Sequence, residues 1–157
     1  MSFIMKNIEY SPEQEHKTFT LIEVNNVLPE VEECVYRLMQ MNAQVNQIIN
    51  KLKHADMVLS DSIIMDNLRH QDEDSINNLS SLKVLLSAIQ DELNNIATNG
   101  GIVNNIDDGI VNWHGIIGEN PTILSWKLGE KSVSYWQKSI KCKKRVAIDE
   151  LETSNAS

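Results

Sequence analysis

Two long stretches of the chain carry apolar residues at alternating spacings of three and four, the period of one face of an α-helix. Cys34, Met41, Ile48 and Ala55 widen the first stripe beyond a coiled-coil seam, so that it suits a globular core or more than one partner helix. The pattern therefore predicts two long helices. The stripe positions are Val31, Val35, Leu38, Asn42, Val45, Ile49, Leu52, Asp56 and Leu59 in the first, and Leu79, Leu82, Leu86, Ile89, Leu93 and Ile96 in the second.

Two polar residues, Asn42 and Asp56, interrupt the first stripe. A polar residue in such a seam can fix the register or the oligomeric state. Alternatively, a straight helix drifts relative to a seven-residue repeat, and this drift turns the position out of contact. Both interpretations stay open for Asn42, whereas the second is favoured for Asp56.

The first helix has a clear start signal. Thr20 and Glu23 have the spacing of a capping box, in which each side chain accepts a hydrogen bond from the other residue's backbone amide. Phe19 precedes the cap, where an apolar residue can pack on the first turns. Pro29 lacks an amide hydrogen and would clash with the preceding turn inside a helix. We therefore predict a short leading helix over about residues 20–27, followed by a long helix with Pro29 in its first turn.

The segment between the two stripes contains a strongly charged run at residues 69–75, which indicates a bend. Asp74 or Ser75 can cap the helix that follows, and residues 99–101 (Asn-Gly-Gly) end it. Two long helices joined by a short bend form an antiparallel hairpin. The pattern leaves open whether residues 60–75 are helical.

The periodicity changes after residue 101. Residues 110–114, 122–128 and 133–136 have the alternation and composition of strands, and turns containing Gly or Pro separate them. The simplest arrangement is a three-stranded meander. All three tryptophans of the chain fall in this part, and we expect Trp126 and Trp136 to pack the meander against the helices.

These elements predict a mainly α protein of the α+β type. It would consist of a long antiparallel helical hairpin with a short leading helix and a C-terminal β-hairpin or meander. We expect a flexible arm at residues 1–18, a single domain at 19–148 and a disordered tail at 149–157. Two helices with wide apolar stripes cannot bury both stripes on each other, so we also predict a homodimer, arranged as a four-helix assembly.

Composition limits the possible partners. The 157 residues carry a net charge of −8, which argues against nucleic-acid binding because phosphates require a cationic face. The Lys-rich run at residues 138–145 is a local exception. It is interpreted either as a solvated strand edge or tail, or as a docking site for an anionic partner.

The chain contains no apolar run of about 18 residues, so we expect no membrane span. Cys34 and Cys142 are far apart in the sequence and have no CxxC spacing. This pattern is typical of free thiols in a reducing compartment, and we expect a soluble cytoplasmic protein.

Two motifs resemble those of an uncharacterised prokaryotic family, domain-of-unknown-function family 2203. The N-terminal motif comprises Phe19-Thr20, Glu23, Asn25 and residues 28–31 (Leu-Pro-Glu-Val). The C-terminal motif runs in the same order as in the family: residues 109–111 (Gly-Ile-Val), 126–130 (Trp-Lys-Leu-Gly-Glu) and 135–136 (Tyr-Trp). The similarity spans about residues 19–145. It implies a fold more firmly than an activity.

The chain departs from the family pattern at three places. The histidine that commonly follows the Tyr-Trp pair is Gln137 here. The common Asp-Phe-Pro turn is replaced by residues 112–114 (Asn-Trp-His). The usual Gly-rich segment before the closing arginine is replaced by residues 141–144 (Lys-Cys-Lys-Lys). If the family histidine binds a metal or moves protons, this chain has lost that part.

Each residue that could form a site also has a structural interpretation. Glu23 is accounted for by the capping box, whereas Asn25 is unusual inside a helix because its side chain competes with the backbone. Glu130 is either a turn residue or a carboxylate that binds a cation, accepts from a substrate or acts as a base. His114 is either a turn residue or a ligand. The candidate ligand-binding residues are Glu23, Asn25, Trp126, Glu130, Tyr135 and Trp136.

The sequence contains no phosphate-binding loop, no Gly-x-Gly-x-x-Gly and no Gly-x-Ser-x-Gly motif. No His pair has helical spacing, and we expect no metal site. Catalytic residues and cofactors are therefore not identified, and enzymatic activity is not favoured. The preferred hypothesis is a non-enzymatic interaction or assembly protein acting through its helical hairpin. The alternative is a small-ligand or metal-dependent site between the first helix and the β-meander.

Overall fold

The computed structural model describes residues 17–54, 73–142 and 144–148. The predicted N-terminal arm up to residue 16, the stretch from 60 to 72 and the predicted tail from residue 149 lie outside the described residues. Asp56 and Leu59 of the first stripe lie outside them as well. The predicted domain boundaries stay predictions.

Within the part of the chain that the structure describes, two helices form one layer of the fold. Helix α1 spans Leu21–His54 and helix α2 spans Glu73–Thr98. They are antiparallel, because Arg37 pairs with Glu92 while residues 44–51 of α1 face residues 78–85 of α2. The Arg37 guanidinium donates to both carboxylate oxygens of Glu92, at 3.0 and 3.1 Å.

Helix α1 begins with the predicted capping box. The Thr20 amide donates to Glu23 Oε1 at 3.0 Å, and the Glu23 amide donates to Thr20 Oγ1 at 3.2 Å. This backbone hydrogen bond from Thr20 is the main reason why the pKa of Glu23 lies below its usual value. The capping box is confirmed.

The prediction of a separate short helix before Pro29 is wrong, because α1 runs through Pro29 without a break. A proline in a helix interior costs about 3 kcal/mol. Val24, Leu28 and Val31 flank it on the buried side and are at most 4% exposed, so their burial holds both sides of the proline in one helix. Pro29 itself faces outward.

Six strands in the described ranges form the second layer. They are β1 (Phe19–Thr20), β2 (Ile102–Asn105), β3 (Ile110–Ile117), β4 (Asn120–Lys127), β5 (Tyr135–Gln137) and β6 (Val146–Ala147). The order is β1-β3-β4-β5-β6, and β2 also pairs with β3. β1 runs parallel to β3, whereas the other pairs are antiparallel, so the sheet is mixed.

This architecture corrects the predicted fold class. A helical hairpin with a small meander is wrong: a long helix and a second helix lie on a six-stranded mixed sheet. The strands β3, β4 and β5 overlap the three predicted extended segments. β1, β2 and β6 are too short to show a sequence period, and the pairing of Phe19 with Gly115 joins residues that are distant in the chain.

The two faces of the sheet have different roles. Side chains that are partners in an antiparallel ladder point to the same face, and neighbours along a strand point to opposite faces. The ladders of β3, β4 and β5 therefore place Val111, Trp113, Leu124, Trp126 and Trp136 on one face. We call this the inner face, because its residues join the buried helix stripes in a single core. The outer face carries Asn112, His114, Ile123, Ser125, Tyr135 and Gln137.

Asn42 links the helical layer to the loop before β3. It is 7% exposed, and its Nδ2 donates to Asp107 Oδ1 at 3.0 Å. The polar side chain that interrupts the first stripe is therefore hydrogen-bonded within the same chain.

Candidate functional site

The loop after β4 is a tight turn built on Gly129. The Glu130 amide donates to the Lys127 carbonyl at 3.0 Å, and Gly129, the third residue of this turn, has a φ of 106°. A residue with a β-carbon rarely adopts such a positive φ, which explains a glycine here. The turn brings the Glu130 side chain back over its own backbone, where Oε1 accepts from the Lys127 amide at 2.9 Å.

Glu130 also forms a bidentate ion pair with Arg145. Arg145 Nη2 lies 2.7 Å from Glu130 Oε1, and Arg145 Nη1 lies 3.0 Å from Oε2. The Arg145 and Glu130 side chains are only 19% and 24% exposed. Two parallel, charge-assisted bonds in a half-buried place are stronger and more directional than a surface ion pair.

Arg145 reaches two further groups on the outer face. Its Nε donates to Ser125 Oγ at 2.9 Å, and its Nη2 donates to the Ser125 carbonyl at 3.3 Å. The guanidinium carbon lies 4.4 Å from the centre of the Tyr135 ring, a cation–π distance. We call Ser125, Glu130, Tyr135 and Arg145 the Arg145 cluster.

The two candidate tryptophans lie on the inner face. Trp126 is fully buried, and its Nε1 donates to the Glu130 carbonyl at 2.8 Å, so it joins the core to the same turn. Trp136 is half-buried. Its indole nitrogen is enclosed and has no hydrogen-bond partner among the described residues.

Asn25 and Glu23 have separate roles. Asn25 Oδ1 accepts from the Val133 amide at 2.8 Å, which ties α1 to the loop between β4 and β5. This bond accounts for the asparagine inside the helix. Glu23 stays at the start of α1, in its capping box and 3.6 Å from Lys17 Nζ.

The structure thus brings part of the predicted site together. Glu130 and Tyr135 contact Arg145, and Trp126 bonds the Glu130 carbonyl from the inner face. Asn25 holds the neighbouring loop. Both carboxylate oxygens of Glu130 already accept from protein donors, so the arrangement acts as a brace between β4 and the segment that leads into β6. Arg145 is the central residue that sequence reasoning did not select. Its position as the closing arginine of the family pattern was the available signal.

A second polar group on the outer face contains two of the departures from the family pattern. Asn112 and Gln137 are 1% and 2% exposed, and Asn112 Nδ2 donates to Gln137 Oε1 at 3.0 Å. Gln137 Nε2 donates in turn to the Cys142 carbonyl at 2.8 Å, and Thr122 Oγ1 donates to the Gln137 carbonyl at 3.1 Å. The two substituted positions are therefore direct partners, and together they hold the segment after β5 against the sheet.

Gly109, the first residue of the C-terminal motif, is explained by close packing. It has a φ of 67°, and a β-carbon there would lie 2.7 Å from Met39 Sδ and 3.0 Å from Leu128 Cβ. Only glycine lets the turn before β3 approach α1 so closely.

Both cysteines are free, and their surroundings differ. Burial raises the pKa of the Cys34 thiol to about 11, and a hydrogen bond with Glu92 adds to this effect. Cys34 is 2% exposed, whereas Cys142 is half-buried in the segment after β5.

We expect iodoacetamide to modify Cys142 well before Cys34 in the folded protein at neutral pH. The thiolate is the reactive form, and the raised pKa keeps Cys34 protonated until the pH approaches 11. Mass spectrometry of labelled peptides measures both rates, and labelling in denaturant serves as the control. Equal native rates would contradict the assignment.

Among residues 17–54, 73–142 and 144–148, no group of three or more His, Cys, Asp or Glu side chains could hold a metal ion. Within the same ranges, no helix is long and apolar enough to cross a membrane.

Residues 17–145 match the family model described as "Uncharacterized conserved protein (DUF2203)", which confirms the resemblance of the two motifs. Comparison with curated proteins and with solved structures finds no match.

Proposed function

We propose that this chain, which belongs to the DUF2203 family of uncharacterized conserved proteins, is a non-enzymatic assembly protein that forms a homodimer through its two helices. One observation carries the proposal: the large apolar side chains that the described residues expose all lie on the helices. They are Ile22 (75% exposed), Tyr36 (57%) and Val84 (69%). Exposed apolar groups concentrated on one layer are typical of a contact surface.

The exposed side of α1 supports an antiparallel pairing of two copies. At about 100° per residue, Ile22, Glu33, Tyr36 and Lys51 fall within about 100° of one another around the helix. Glu33 and Lys51 lie on the same line, 18 residues or about 27 Å apart. We call this side of α1 the exposed α1 face.

The charges of the exposed α1 face are complementary to those of a second copy in the antiparallel direction. The N-terminal half of this face is acidic, with exposed Glu30 and Glu33, and its C-terminal half carries the exposed Lys51. A twofold axis near residue 42 would place Glu33 of each copy opposite Lys51 of the other, which is the pattern that an isologous interface requires.

The neighbouring groove between the helices adds surface of the same kind. Its polar lining consists largely of amide and hydroxyl side chains, including those of Gln44 and Gln47. Val84 and Leu85 belong to its apolar lining. Amide side chains can donate to and accept from their own copies across a twofold axis. The exposed α1 face and the groove together form the proposed interface.

A charge swap tests the proposal. Glu33→Lys and Lys51→Glu should each weaken the dimer about tenfold, because two exposed ion pairs become two repulsions at a cost of about 1–2 kcal/mol in total. The double variant Glu33→Lys/Lys51→Glu should restore the wild-type dissociation constant. Sedimentation equilibrium at low ionic strength measures all four proteins.

Val84→Glu should also weaken the dimer, by placing a charge in the groove. Ala97→Glu is the matched control, since it adds the same charge at an exposed position about 140° further round α2. The proposal fails if the wild-type protein is monomeric at micromolar concentration. It also fails if the double charge swap does not recover the affinity lost in the single variants.

The engagement of the Arg145 cluster favours assembly over a ligand site between α1 and the sheet. Glu130 and Asn25, two polar candidates for that site, both have protein partners. We also propose a cytoplasmic location, supported by the two free cysteines, Cys34 and Cys142, which suit a reducing compartment.

A further inference from the structure

The outer face of the sheet carries a cavity of about 460 Å³. None of its lining residues belongs to the helical interface proposed above. His114, Pro121 and Ile123 line the cavity on the sheet side. Lys138, Ile140 and Lys141 line it on the side of the segment that follows β5. Its volume falls within the range of about 300–1,000 Å³ that is usual for small-molecule sites.

The walls of the cavity are held in place by contacts already described. Gln137 fixes the Cys142 carbonyl on one side of the segment, and Arg145 fixes its end to Ser125 and Glu130. Ile123, in the middle of β4, is 5% exposed and pairs with both His114 and Gln137 in the sheet register. A site whose walls are ordered before binding loses less entropy when a ligand enters.

The charge of the cavity is opposite to that of the protein. The chain has a net charge of −8, yet Lys138 and Lys141 both lie at this opening. In the described part of the chain, neither lysine is in an ion pair; those pairs involve Lys17, Arg37 and Arg145. Two lysines in a described lining that holds no carboxylate attract an anion and focus it on the cavity.

From this combination we infer that the outer-face cavity binds a small amphipathic anion, with an apolar body against Ile123 and Ile140 and a terminal anionic group beside Lys138 and Lys141. The lysine ammonium is a point charge without the fork of a guanidinium, so it does not by itself distinguish a carboxylate from a phosphate. The shared chemistry is therefore a short alkyl chain that ends in one anionic group.

Isothermal titration calorimetry with octanoate tests this site. We expect saturable binding of one octanoate per chain, and binding at least about tenfold weaker for octanol, which lacks the charge. Monooctyl phosphate, titrated in parallel, shows which anionic group is preferred. Equal affinity for octanol and octanoate would overturn the inference of an anion site.

Charge reversal locates the binding. Lys138→Glu/Lys141→Glu should lower octanoate affinity at least about tenfold, because it replaces two attractive charges by two repulsive ones. Both lysines are exposed, so the fold should tolerate the change, and thermal unfolding checks this.

Lys83→Glu/Lys131→Glu is the matched control, since it changes the net charge equally at two exposed lysines outside the cavity. Its affinity for octanoate should stay within about twofold of wild type. The inference is overturned if low-millimolar octanoate gives no saturable binding, or if both double variants lose affinity equally. Neither result would bear on the dimer, which is measured independently.

Discussion

Replacing Trp126 with alanine is expected to lower the free energy of unfolding by about 3–5 kcal/mol, the usual cost of deleting a large buried aromatic side chain. Trp126 has no exposed surface and lies on the inner face, where the helices cover it. The substitution also removes the hydrogen bond from its indole nitrogen to the Glu130 carbonyl. The substitution would therefore remove core packing and a hydrogen bond to the turn that positions the Arg145 cluster.

Urea denaturation followed by circular dichroism measures the effect, with midpoint and slope compared at one protein concentration. Trp126→Phe is the control, because it keeps most of the apolar surface and loses the hydrogen bond. We expect it to cost about 1–2 kcal/mol. A Trp126→Ala protein within about 1 kcal/mol of wild type would contradict the packing described here.

Replacing Glu130 with alanine is expected to cost about 2–4 kcal/mol, since it leaves the half-buried Arg145 without its carboxylate. The Lys127 amide loses its acceptor at the same time. A full buried-pair cost of about 3–5 kcal/mol is discounted, because Arg145 and Glu130 are 19% and 24% exposed and water can reach them in part.

A double-mutant cycle isolates this interaction. Glu130→Ala, Arg145→Ala and the double variant should show a coupling energy of about 1–3 kcal/mol in chemical denaturation. Glu130→Gln is the conservative control, because its amide oxygen can still accept from the Lys127 amide while the charge is lost. Additive single effects would show that the ion pair adds no stability beyond its separate parts.

Several local features could be predicted from the sequence. The capping box of Thr20 and Glu23 depends only on residues three apart, and the structure contains both of its hydrogen bonds. The stripe positions from Val31 to Leu52 and from Leu79 to Ile96 are mostly buried, because helical periodicity alone decides which residues share a face.

The candidate site could be predicted only in part. Trp126, Glu130 and Tyr135 come together because they flank one turn and neighbouring strands. Arg145 lies 15 residues beyond Glu130, in a basic run that was interpreted either as solvated charge or as a docking site for an anionic partner, and neither interpretation predicted this ion pair. The direct contact between Asn112 and Gln137, 25 residues apart, likewise depends on strand register.

By itself, the sequence determined the two long helical segments, the positions of β3, β4 and β5 and which helix faces are apolar, because those properties arise from neighbours within a few residues. Tertiary packing alone decided that α1 continues through Pro29, because burial of Val24, Leu28 and Val31 outweighs a local penalty. It also decided that Phe19 and Thr20 add a parallel strand and that Arg145 folds back onto Glu130. These arrangements join residues far apart in the chain, and their free energy depends on contacts that exist only once the layers have packed.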